Sequence, residues 1–102
     1  AEWAWSAHWL FTVLVDAAAF EGGSRSVMRG LAELGIQTRP LWQPCHLSPA
    51  HVGAERTDCS VAEYLNSVAL SLPSSVGLTE SEQARVISSL SSLHRAASER
   101  TA

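Results

Sequence analysis

The residues best equipped for chemistry gather in one stretch, TRPLWQPCHLSPAH, residues 38–51, which sets Arg39, Trp42, Cys45, His46 and His51 among three prolines. Two kinds of chemistry suit these types. Thiolate and imidazole are metal ligands, so Cys45, His46 and His51 make one candidate set. A guanidinium fork, an indole face and an imidazole suit the wall of a pocket, so Arg39, Trp42 and His46 make the other. Spacing separates the two readings. Zinc sites usually draw on tight pairs such as C-x2-C or H-x3-H, whereas here Cys45-His46 is followed after four residues by His51 and after seven more by Cys59. No metal is expected.

Each member of the wall has a plainer alternative. Arg39 can fork onto a phosphate or a carboxylate, or it can pair inside the domain with Asp58 or Glu63. His46 can bond a ligand oxygen or only steady its loop. Trp42 can face a ligand or plug the core. Pro40 and Pro44 flank it, fix their own φ angles and remove two amide donors. A loop so restrained loses little entropy on binding, which suits a preformed wall.

Other chemistries are excluded by what is missing. All seven basic residues are arginine, so the chain has no amine that can lose its proton and form a Schiff base. No serine sits in a G-x-S-x-G elbow, and Gly22-Gly23 reads as a turn rather than a phosphate loop. Cys45 and Cys59 read as small buried hydrophobes, too few for a disulfide framework, which suits a reducing cytoplasm. A net charge of -3 offers no cationic footprint for nucleic acid. No apolar run approaches the roughly 20 residues of a membrane span. The opening AEWAW has neither a leader pattern nor an initiator methionine, so a fragment or processed product is expected.

The elements that position the loop follow from periodicity. The 102 residues suffice for one domain. WLFTVLVD, residues 9–16, predicts a strand buried on its Trp9, Phe11, Val13 and Val15 face, and Trp3 and Trp5 predict packing alongside it. Ser24 predicts the N-cap of a helix carrying Val27, Met28, Leu31 and Leu34 on one face, with Gly35 as its left-handed stop. Gly30 inside that helix costs about 1 kcal/mol relative to alanine. Residues 36–41 predict a second strand, expected to pair in parallel with the first across a right-handed crossover. A helix from Asp58 or Ser60 to Val68, with Val61, Leu65 and Val68 in one stripe, leads to a strand at 70–72 stopped by Pro73. Thr79 and Glu82 form a capping box for a last helix burying Val86, Ile87, Leu90 and Leu93, with residues 96–102 frayed. The expected fold is α+β: a small sheet of three or four strands with three helices packed on it.

In order, WLFTVLVD, LAELGIQTRP, PLWQPCHLSPA and LSLPSSVGLT resemble the C-terminal small domain of the fold-type I, pyridoxal-phosphate-dependent sugar aminotransferases, the DegT/StrS group. The likeness covers most of residues 5–95 and is most similar to members that make 4-amino sugars. It implies amino transfer to a nucleotide-linked keto-sugar at a site shared across a homodimer, with Arg39, Trp42 and His46 matching the substrate-facing segment. Many relatives carry tyrosine where Trp42 stands, so a hydroxyl contact there is lost. The group's catalytic lysine, its cofactor-stacking residue and its carboxylate partner for the pyridine nitrogen belong to a large domain that nothing here resembles. The resemblance thus implies no catalytic or covalent cofactor-binding residue in this chain, and pyridoxal phosphate only in a complete enzyme. A free-standing binding or dimerisation module without catalysis is the alternative.

Overall fold

The computed structural model describes residues 2–101, and the side chains of residues 2–99. Strand β1 spans Phe11–Leu14, helix α1 Gly23–Glu33 and strand β2 Arg39–Pro40. Two 3-10 turns, Cys45–Leu47 and Pro49–His51, precede α2 (Ser60–Val68), β3 (Ala69–Leu72) and α3 (Glu80–Thr101). Among the described residues, three helices and a three-stranded sheet make the expected α+β domain.

The sheet order is β1-β3-β2, with β3 antiparallel to both neighbours. The expected direct pairing of the first two strands is therefore wrong: β1 and β2 run the same way, but β3 lies between them. Their compositions explain the order. β3 leaves α2 without a loop and places Ala69, Leu70 and Ser71 in full burial, as a central strand requires. Pro40 has no amide to give a ladder and is confined to an edge.

The core joins Val15, Val27, Leu31, Ile36, Leu70 and Val86, bordered by Val13, Phe20, Met28, Leu72, Leu90 and Leu93. It gathers at one end of β1. Val13 and Val15 reach it, whereas Trp9 and Phe11 are 68% and 62% exposed, so the predicted buried face holds over half its length. Trp3 and Trp5 are exposed rather than packed, and Val61 and Ile87 face outward from their helices. Cys45 is exposed and Cys59 partly so, both as free thiols, which corrects their reading as buried hydrophobes.

Helix ends show where local chemistry decides structure. Gly22, at φ 80°, caps α1 in place of Ser24. Ser24 is buried instead and donates its hydroxyl to Ser67 O at 2.9 Å, tying α1 to the end of α2. At the other end Gly35 has φ 72°, its N–H donates to Ala32 O, and the Ile36 N–H donates to Leu31 O. This is a Schellman stop, with the buried pair Leu31 and Ile36 as its apolar contact. The Arg85 guanidinium donates to Leu34 O and satisfies a further carbonyl there.

Gly30 has a packing reason. A Cβ at this position would stand 2.8 Å from Leu93 Cδ2, so glycine is what lets α1 and α3 approach. The capping box of α3 forms as expected: the Thr79 N–H donates to Glu82 Oε2 at 2.8 Å, and the Glu82 N–H donates to Thr79 Oγ1 at 3.3 Å. The Thr79 backbone N–H, and then its hydroxyl, hold the Glu82 carboxyl below its ordinary range. Beyond Ala96, where fraying was expected, α3 continues to Thr101 and Ala97 is buried; Ala102 lies outside the described residues.

Candidate functional site

The loop after β2 is held by α2. Asn66 Nδ2 donates to Leu41 O at 2.6 Å and to Trp42 O at 3.1 Å. One turn earlier on the same helix face, Glu63 Oε1 meets His46 Nε2 at 2.7 Å. Within the loop, Gln43 Nε2 donates to Leu47 O at 2.9 Å. Two residues of one helix thus grip the loop at both ends of the Trp42–His46 segment, and the prolines between leave few ways for it to rearrange.

The three predicted wall residues have different surroundings. His46 is enclosed, its side chain 9% exposed, and the Glu63 contact occupies one ring nitrogen. Glu63 is half exposed, so solvent screens the pair and its worth lies in placing the ring more than in stability. Trp42 is 67% exposed and is not a plug over the core. Its ring packs edge-on against Trp9, centroids 5.4 Å apart at 61°, and the two indoles form a surface aromatic pair.

Arg39 projects from β2 opposite Ser71 and is exposed. Neither expected carboxylate meets it. Asp58 accepts from the Ser60 N–H and hydroxyl, which hold its carboxyl below its ordinary range, and Glu63 is taken by His46. Among the described residues no ion pair involves the Arg39 guanidinium, whose donors stay open to a ligand.

An open depression of about 440 Å³ borders the loop, lined by Cys45, His46, His51, Arg56 and Cys59 among others. No group of three or more His, Cys, Asp or Glu among the described residues is arranged to hold a metal ion. None of the described helices is long and apolar enough to cross a membrane.

Trp9, Glu63 and Asn66 shape this site without having been singled out as wall residues. Asn66 left one signal: asparagine is a poor former of helix interiors, so its place there suggests that the side chain is engaged elsewhere. The partners of Trp9 and Glu63 lie 33 and 17 residues away in sequence and leave no local trace.

In this small α+β domain, Asn66 and Glu63 of α2 hold the loop that carries Trp42 and His46. The model of the DegT/DnrJ/EryC1/StrS aminotransferase family matches residues 1–91, and the chain belongs to that family. It is 35% identical over 85 residues to the GDP-perosamine synthase of Caulobacter vibrioides, covering 80% of this chain and 22% of that protein. It is 36% identical over 86 residues to EpsN of Bacillus subtilis, a protein named provisionally as a pyridoxal phosphate-dependent aminotransferase, covering 80% of this chain and 21% of that one. The chain spans about a fifth of the length of these relatives. The family is in general pyridoxal-phosphate-dependent, and the residues present do not fit covalent attachment of that group, because the chain contains no lysine.

Proposed function

We propose that this chain is the small domain of a pyridoxal-phosphate-dependent aminotransferase that moves an amino group to a nucleotide-linked keto-sugar, and that it contributes one wall of the substrate site. The observation that carries the reading is the family match over residues 1–91 together with the likeness to a GDP-perosamine synthase, whose name states a nucleotide-linked amino sugar. In this reading Arg39 holds phosphate oxygens, the exposed face of Trp42 lies along the substrate, and His46, fixed by Glu63, shapes the pocket.

The chain's own part is binding and orientation. A guanidinium fork fits two phosphate oxygens and turns the sugar in a defined direction. A restrained aromatic wall excludes water from one side of it. The chemistry of amino transfer belongs to the cofactor and to a lysine outside these 102 residues. The free thiols support a cytoplasmic location. An apolar depression of about 410 Å³ beside the exposed Phe11 and Ile87 supports a face covered by the rest of a homodimeric enzyme.

The test is the gene. The reading frame immediately upstream of the Ala1 codon is expected to encode a lysine-bearing large domain. An in-frame stop codon there, with translation starting close to Ala1, would overturn the enzyme reading and favour a free-standing binding or dimerisation module.

A further inference from the structure

The sheet ends in two edges of opposite character. β2 carries Arg39 and Pro40, and a cation and a proline are what keep an exposed strand from pairing with another chain. β1 has no such guard. Between His8 and Asp16 the sequence is WLFTVLV, with neither charge nor proline, and Leu10, Phe11 and Leu14 are 44%, 62% and 62% exposed.

The ladder of β1 shows which of its backbone groups are taken. The Val15 N–H donates to Val68 O at 2.9 Å, and Leu14 is registered with Ala69. In an antiparallel ladder, alternate residues exchange bonds with the neighbouring strand. Val15, Val13 and Phe11 therefore turn their N–H and C=O toward β3, and Leu14, Thr12 and Leu10 turn theirs to the open edge. That run is closed at both ends. The Asp16 carbonyl accepts from the Ala19 and Phe20 N–H groups, and the His8 N–H donates to Ser6 Oγ at 3.0 Å. His8, at φ 50°, also leaves the extended conformation. Thr12 stands midway between His8 and Asp16.

A second copy of the same strand fits this run. Only residues that both face the open edge can exchange bonds, so an antiparallel partner can slide along it only in steps that keep this parity. With Thr12 opposite its own copy, Leu10 meets Leu14, Phe11 meets Val13 and His8 meets Asp16, each twice by symmetry. Apolar residues then meet apolar ones, and an imidazole lies opposite a carboxylate at both ends. Sliding the partner one way sets His8 opposite Leu14, and sliding it the other way sets Asp16 opposite Leu10, so either shift loses the match. The apolar depression of about 410 Å³, lined by His8, Leu10, Phe11 and Ile87 among others, borders the same edge, and a second copy there would cover it.

We propose that the open edge of β1 is a homodimer interface, at which two copies pair antiparallel about a two-fold axis through Thr12 and join their sheets into one. The partner is a second copy of this chain. The proposal rests on the homodimer part of the proposed function and adds to it a surface and a register.

The experiment is sedimentation velocity of the 102-residue chain across roughly 1 μM to 1 mM, with Thr12→Lys and Thr12→Glu each run alone and then mixed in equal amounts. The wild-type mass is expected to rise with concentration from 10.9 kDa to twice that value. Because Thr12 opposes itself, either charged variant alone sets like charges face to face, and its dissociation constant should rise at least about tenfold. The mixture sets lysine opposite glutamate, so a one-to-one heterodimer should form with an affinity within about threefold of wild type. Circular dichroism on the same samples checks that each variant is folded. Hydrogen exchange of the wild type gives a second readout: the Thr12 amide should exchange slowly at high concentration and fast at low, while the Val13 amide, turned toward β3, stays protected at both.

A wild type that stays monomeric throughout, or a Thr12 amide whose exchange ignores concentration, would overturn the pairing. A dimer that both charged variants leave intact would also overturn it, and would move the homodimer contact to another surface. Charged variants that stay apart when mixed would overturn the register centred on Thr12. The upstream reading frame judges the enzyme reading independently.

Discussion

Asn66 is the residue that ties the loop after β2 to α2 most directly. Its amide donates to the carbonyls of Leu41 and Trp42, and those two bonds fix the loop just where it leaves β2. A hydrogen bond of this kind is worth about 0.5–1.5 kcal/mol net, so Asn66→Ala removes about 2 kcal/mol of binding between helix and loop. Alanine returns about 0.5 kcal/mol of helix propensity. The expected net loss is about 1.5 kcal/mol, which for a domain of this size lowers the thermal midpoint by roughly 6–12 °C. Asn66→Asp should cost more, because a carboxylate would face two carbonyl oxygens with no donor between them. Its deficit should shrink in acid, where the introduced carboxyl carries a proton to donate. Thermal denaturation followed by circular dichroism gives the midpoints, and tryptophan emission reports on the Trp9–Trp42 pair, which should become more solvated in both variants. Wild-type midpoint and emission in Asn66→Ala would refute the clamp, and with it the claim that α2 holds the loop.

Three further outcomes follow from the packing and the caps. Gly30→Ala, which would gain about 1 kcal/mol from helix propensity alone, should be neutral or destabilising in urea titrations because its Cβ would lie 2.8 Å from Leu93 Cδ2; in a Leu93→Ala background the same change should become stabilising. Gly35→Ala forces a side chain into a backbone with φ 72° and should cost about 1–2 kcal/mol, read from the urea midpoint at constant m-value. The Glu82 carboxyl is held below its ordinary range by Thr79, so its cap contributes above the unfolded pKa and is lost as pH falls through the lower folded value. The stability difference between wild type and Glu82→Gln should accordingly narrow in acid, and a difference constant across pH would contradict the cap.

What the sequence reveals here is set by distance along the chain. The Thr79–Glu82 box, the Gly35 stop and the boundaries of α2 depend on neighbours three to six residues apart and are legible as printed. The order of the sheet is not, because β3 pairs with β1 across 55 or more residues, and nothing local in ALSL says that it will divide two parallel strands. The wall residues Arg39, Trp42 and His46 stand out by type, yet their supports do not. The Glu63 and Asn66 grips and the Trp9 contact depend on how α2 and β1 fold back on the loop. The outward Trp9 and Phe11 depart from the expected buried face for a related reason: the alternation of a strand shows which residues share a face, while the helices decide how much of that face is covered.

Arg39 as a substrate contact is the central claim of the proposed function. The direct measurement is steady-state amino transfer by the complete polypeptide carrying this domain, wild type against Arg39→Ala, with the cofactor absorbance recorded on the same samples. The account predicts a KM for the nucleotide-linked keto-sugar raised about 10- to 100-fold, the loss of one or two charge-assisted bonds, with kcat and the absorbance band unchanged. An unchanged KM, or loss of the cofactor band on removal of this one guanidinium, would contradict it.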